Sequence, residues 1–207
     1  QRADRIGAAP PPRPTELPAK RLRAAGKSLV TQVQTFLAFP EWFYLKLPVN
    51  TMTEPRLTPG GLSTQWSSVG HYELDDDQAL VVTVPESYAP YKGFQLGSMW
   101  YLSTDFVNHQ TSLTAEQAHH DPDGLLRFVV SERDPGVANW LDTTGHRYGA
   151  IQCRWSGGHA APETTATVLR TTELDAVLPK GTARVTLTER REAIRARQVG
   201  VQLRAQW

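Results

Sequence analysis

"LLRFVVSERDPGVANWLDTTGHRYGAIQCRW", residues 125–155, is the stretch on which the fold turns. Its two ends read as strands. "LLRFVVSE" is apolar and rich in β-branched residues, and "GAIQCRW" places Ile151, Cys153 and Trp155 on one face by period two. The middle, "DPGVANWLDTTGHRYG" at 134–149, has the pattern of neither helix nor strand. Asp134 before Pro135-Gly136 forms one turn signal and Asp142-Thr143-Thr144-Gly145 a second. In such turns the aspartate accepts backbone amides two residues on.

Further strands lie upstream and downstream. "LSTQWSSVGHYEL" at 62–74 is mixed polar and aromatic, and "DDDQ" at 75–78 is a turn. "ALVVTVP" is a short apolar strand ended by Pro85. "GFQLGSMWYLS" puts Phe94, Leu96, Ser98 and Trp100 on one face, and "TTATVLRTTEL" is the next candidate. Strands spaced about ten residues apart, with turns between them, predict an antiparallel sandwich or jelly roll rather than βαβ units.

Both ends of the chain differ in texture. Five prolines between Pro10 and Pro18 favour extended backbone, so residues 1–18 are expected to form an arm or linker. Leu22, Ala25, Leu29, Val33 and Phe36 then follow helical spacing, with Pro18 suited to the first turn and Pro40 marking the end. "TLTE" at 186–189 matches a capping box, with Thr186 as N-cap and Glu189 at N3. "RREAIRARQVGVQLR" is the helix that follows, weakened by Gly200. Its arginines, interleaved with Glu189 and Glu192, read as a solvated, ion-paired face. The fold class expected is therefore α+β: a central antiparallel β-sandwich, jelly-roll-like, with an N-terminal and a C-terminal helix. One domain is expected over 19–207.

Composition narrows the function. With 207 residues, 21% charged and 40% hydrophobic, the chain can bury a core without a metal or disulfide staple. A net charge of +1 gives no field that favours nucleic acid. Cys153 stands alone, so no internal disulfide forms, and its place in the apolar strand makes it core. There is no run of eighteen apolar residues, no phosphate-binding loop, no dinucleotide fingerprint and no nucleophile elbow. No cofactor and no membrane span are expected, and the location expected is cytoplasmic.

The segment 93–155 resembles a bacterial family, domain of unknown function 1214. The motifs that carry the resemblance are "NHQTSL", "DPDG", "DPGVANWLDTTGHRYG" and "RW", in that order. "ERREAIRARQ" extends it toward the C-terminus, and "GGLSTQWSSVGHYELDDDQAL" toward the N-terminus. The resemblance implies a β-rich, jelly-roll-like fold, often following a companion domain that residues 1–60 are too few to supply. It implies no catalytic residues.

Two polar clusters are candidate sites. In the first, Trp140 offers a flat apolar face and one N–H, and Asn139, Asp134 and Asp142 offer directional polar contacts. This set suits a carbohydrate-like or other polar ring ligand, and it equally suits two turns with a tryptophan capping the core between them. His109 and His146, with Asp142, would serve if chemistry occurs, since imidazole ionises nearest neutral pH. In the second, Asp105, His109, His119, His120, Asp121 and Asp123 lie close in sequence, but their spacing fits no metal motif, so no metal is assigned. A small-molecule-binding domain is the leading expectation. A hydrolase or lyase using a His/carboxylate pair is the rival. A structural subunit, oligomerising through the arm and terminal helices, is the third.

Overall fold

The computed structural model describes residues 7, 18–58 and 61–204. The chain divides into two compact units, residues 1–39 and 40–207. Apart from Gly7 and Pro18, the expected arm lies outside the described residues. Helix α1 (Ala19–Pro40) starts directly after Pro18, whose carbonyl accepts the amides of Arg21 and Leu22. Pro40 closes it, as its spacing predicts, and a single π-helical turn continues over Glu41–Leu45.

Residues 40–207 form a sandwich of two sheets. The strands are β1 (Thr51–Met52), β2 (Arg56–Leu57), β3 (Gln65–Glu73), β4 (Gln78–Val84), β5 (Tyr91–Gly97), β6 (Ser112–Thr114), β7 (Leu126–Ser131), β8 (Trp140–Asp142), β9 (Tyr148–Ser156) and β10 (Thr165–Arg170). One sheet has the order β1-β3-β9-β5-β6, with β2 also paired to β3. The other has the order β10-β4-β7-β8. Every pairing is antiparallel except that of β7 with β8, which is parallel. The sandwich and both flanking helices agree with the expected class; the one parallel pair departs from it. That pair arises because the first turn of the 134–149 stretch sends the chain back to run alongside β7, rather than reversing it.

Alternation sets the core. Ile151, Cys153 and Trp155 of β9 and Phe94 and Leu96 of β5 point at Leu80, Val82 and Val84 of β4 and Phe128 and Val130 of β7. The Phe94 and Phe128 rings meet with centroids 4.1 Å apart. Burial pushes the Cys153 thiol up to about 12, in keeping with an inert core residue. β4 and β7 are buried on both faces, which explains their near-continuous apolar runs. Their outer face, with Val81 and Val129, is covered by Trp140, Val137, Leu174 and Leu178, the last two in and after the short helix α2 (Leu174–Val177).

The strand expected to run through "GFQLGSMWYLS" stops at Gly97. Tyr101 donates its amide to Ser98 O at 2.9 Å and sits at φ 59, a left-handed conformation that ends the strand. Trp100 is therefore exposed while Phe94 and Leu96 stay in the core. Helix α3 (Leu187–Arg204) follows its capping box as read: Glu189 accepts the Thr186 amide at 2.7 Å, and the Thr186 hydroxyl accepts the Glu189 amide at 3.3 Å.

Candidate functional site

Most polar groups of the 134–149 stretch are committed within the fold. Asp134 Oδ1 accepts the Gly136 amide at 2.8 Å, and Oδ2 accepts Arg190 Nε at 2.9 Å. The Arg190 guanidinium also donates to Val137 O at 2.6 Å and Ala138 O at 3.2 Å, and it lies 5.3 Å from the Trp140 ring centroid. Arg190 thus clasps α3 to the loop and covers the aromatic face expected to hold a ligand. The Trp140 indole N–H donates to Ser131, carbonyl and hydroxyl, both at 3.0 Å. Asn139 is buried and makes two hydrogen bonds to the His119 backbone, accepting its amide at 2.8 Å and donating to its carbonyl at 2.7 Å.

His109 and Asp142 do come together: His109 Nδ1 lies 2.7 Å from Asp142 Oδ2, while Oδ1 accepts the Thr144 amide at 2.7 Å. The carboxylate is largely covered and the imidazole is open to solvent. His146 is exposed and joins neither. The second cluster disperses. Asp105 caps the Val107 and Asn108 amides, Asp121 and Asp123 both meet Arg127, and His120 Nδ1 faces Gly124 O. Among the described residues no group of three or more His, Cys, Asp or Glu is placed to hold a metal.

A concavity lies elsewhere, between α3 and the outer face of the six-stranded sheet. It is a cleft of about 760 Å³. Strand register builds its floor. Gly93 of β5 is paired with Thr114 of β6 and with Arg154 of β9, and Arg154 in turn with Ser67 of β3. The next row on the same face runs Ser112, Gln95, Gln152, Val69. These are the alternate positions to the core residues Phe94, Leu96, Ile151, Cys153 and Trp155. The Tyr91 ring lies across Gly93: a Cβ there would meet the Tyr91 hydroxyl at 2.6 Å, so glycine is what lets the ring lie on the sheet beside Arg154.

The roof is one face of α3, with Ala193, Ala196, Arg197, Gly200, Val201 and Arg204 at three- and four-residue steps. Small residues there leave the space that the cleft occupies, and nothing lies within 4 Å of a Cβ built on Gly200. Arg197 reaches down to β6, donating to Ser112 O at 2.6 Å and Ser112 Oγ at 3.2 Å, and burial pulls its guanidinium below its usual value. A side chamber of about 200 Å³ shares Gln95, Gln152 and Arg154 and is walled by Tyr101. Arg154 Nη2 donates to Gln152 Oε1 at 2.9 Å, whereas Arg154 Nε and Gln152 Nε2 are buried donors with no partner. The solvated-face reading of the C-terminal arginines therefore fails at Arg190 and Arg197, which turn inward. The signal for the floor was the face opposite Ile151, Cys153 and Trp155: in "GAIQCRW" the intervening residues are Gln152 and Arg154.

No protein-family model and no curated protein matches the sequence. The crystal structure of an uncharacterised protein from Burkholderia cenocepacia is similar, with a TM-score of 0.58 and 28% identity over 61% of this chain. This chain spans 37% of that protein's length. A crystal structure of a Vibrio parahaemolyticus protein matches with a TM-score of 0.39 and 15% identity, over 50% of this chain and 31% of that one. The Burkholderia likeness supports the sandwich fold. No helix among the described residues is long and apolar enough to cross a membrane.

Proposed function

We propose that the domain binds a small polar ring ligand in the cleft beneath α3, and that it belongs to the family of domain of unknown function 1214 that its motifs resemble. The observation that carries the binding reading is the cleft itself, within the size range of small-molecule sites. Tyr91 and Phe106 supply apolar surface, and Gln95, Gln117 and Gln152 supply amides that orient a ligand.

Gly200→Leu tests the reading. The new side chain would project into the roof space, and the helix would gain about 1 kcal/mol in propensity, so loss of folding is not a concern. A panel of neutral and charged ring compounds is screened by ligand-observed NMR against both proteins. Ligands of the parent protein should lose binding in the variant. Equal binding to both would place the site somewhere other than the cleft.

A second reading, a hydrolase or lyase, rests on the 2.7 Å contact of His109 with Asp142, the arrangement in which a carboxylate orients an imidazole for proton transfer. Neither residue lines the cleft, so this reading requires a substrate that reaches an open surface.

A further inference from the structure

We propose that the cleft's ligand is an anion, a ring compound bearing a carboxylate or phosphate group held between Arg154 on the floor and Arg197 on the roof. This rests on the cleft being a ligand site. Among the described residues three arginines line it, Arg154, Arg197 and Arg204, and no aspartate, glutamate or lysine does. Elsewhere on the sandwich Arg127, Arg147, Arg170, Arg184 and Arg190 each meet an aspartate. Among the described residues no carboxylate meets the three that face the cleft.

The partners these cations do have are neutral. Arg197 is held by Ser112 and the Phe106 carbonyl, and Arg154 by the Gln152 amide oxygen. Such contacts orient a guanidinium and leave its charge uncompensated. The orphan atoms, Arg154 Nε and Gln152 Nε2, are both donors. A buried donor without an acceptor is unfavourable, and like charges sharing a partly desolvated cleft repel. An oxyanion in the cleft offsets that repulsion, because it pairs bidentately with a guanidinium. Tyr91, flat on the sheet over Gly93 and next to Arg154, is placed to stack on the ring that carries it.

The test is isothermal titration of the whole chain with galactose, galacturonate, galactose 6-phosphate and inorganic phosphate. Arg154→Gln and Arg197→Gln are compared with the control Arg195→Gln, an exposed position on the same helix. The proposal expects galacturonate or galactose 6-phosphate to bind about tenfold or more tightly than galactose, and to weaken as salt is raised. Which of the two binds separates a carboxylate from a phosphate site. Phosphate alone should bind more weakly than its sugar ester, because the ring contact is lost. Either cleft substitution should cost the charged ligand about tenfold, with partial rescue by Arg154→Lys and no change in Arg195→Gln.

Equal affinity for galactose and its charged counterparts, or an unchanged affinity in Arg154→Gln, overturns the anion. If that binding is still lost in Gly200→Leu, the cleft remains a ligand site and only the charge assignment falls. Charged binding that survives Gly200→Leu, or no heat from any of the four probes at millimolar concentration, overturns the proposal and the cleft reading together.

Discussion

The 134–149 loop and the cleft under α3 are both dense in polar side chains, and they differ in what those side chains meet. In the loop, Asp134, Asn139, Trp140 and Asp142 each find a partner within the chain, and Arg190 closes over them from α3. In the cleft, Arg154 and Gln152 keep buried donors with no acceptor. The first arrangement ties a fold; the second leaves hydrogen-bond donors unpaired. A high concentration of polar residues therefore says little about function until the accounting of donors and acceptors is done.

Substitutions in the two regions should separate these roles, beginning with the largest effect. Arg190→Leu would strip Asp134, Val137 O and Ala138 O of a shared donor in a largely covered place, so equilibrium denaturation should show a loss of about 3 kcal/mol or more. A loss under about 1 kcal/mol would mean that the clasp is incidental. Asn139→Ala removes both bonds to the His119 backbone and should lower stability by about 2 kcal/mol. Its effect on cleft binding should be slight, and a large one would join the two regions into a single site. Gln152→Leu should lower stability by about 1 kcal/mol, less than Asn139→Ala, because it deletes an unpaired buried donor together with a single bond, the one that Arg154 donates to Gln152 Oε1. Destabilisation as large as that of Asn139→Ala would show that the cleft, too, is structural.

How far the sequence revealed this contrast depends on the scale of the signal. Period two in "GAIQCRW" and apolar runs in "ALVVTVP" and "LLRFVV" made the sandwich readable, because alternation and β-branching are local. The capping box at Thr186 and Glu189 was legible for the same reason. Of the expected set His109, His146 and Asp142, the structure brings His109 and Asp142 together and leaves His146 apart. The ligand role given to Trp140 had no such basis. Whether an indole face is open depends on what crosses it, and here that is Arg190, fifty residues further along the chain. The floor was half visible: one face of β9 was read as core, and the other face carries Gln152 and Arg154. What gathers Gly93, Thr114 and Ser67 around Arg154 is register between distant strands, and no local pattern specifies that. Gly200, read as a weakness in a helix, is the position that leaves the roof open.

The placement of Arg154 also bears on when the molecule becomes competent. β9 lies between β3 and β5, so the floor exists only after residues 148–156 have paired with 65–73 on one side and 91–97 on the other. Both pairings close long loops, which is slow and entropically costly compared with forming hairpins or helical turns. α3, which supplies the roof, comes later still in the chain. A nascent or partly folded molecule can hold helices and isolated strands, yet it has no cleft. Occupancy of the cleft is thus confined to molecules that have finished folding, and any ligand held there favours the completed sandwich over every earlier state on the way to it.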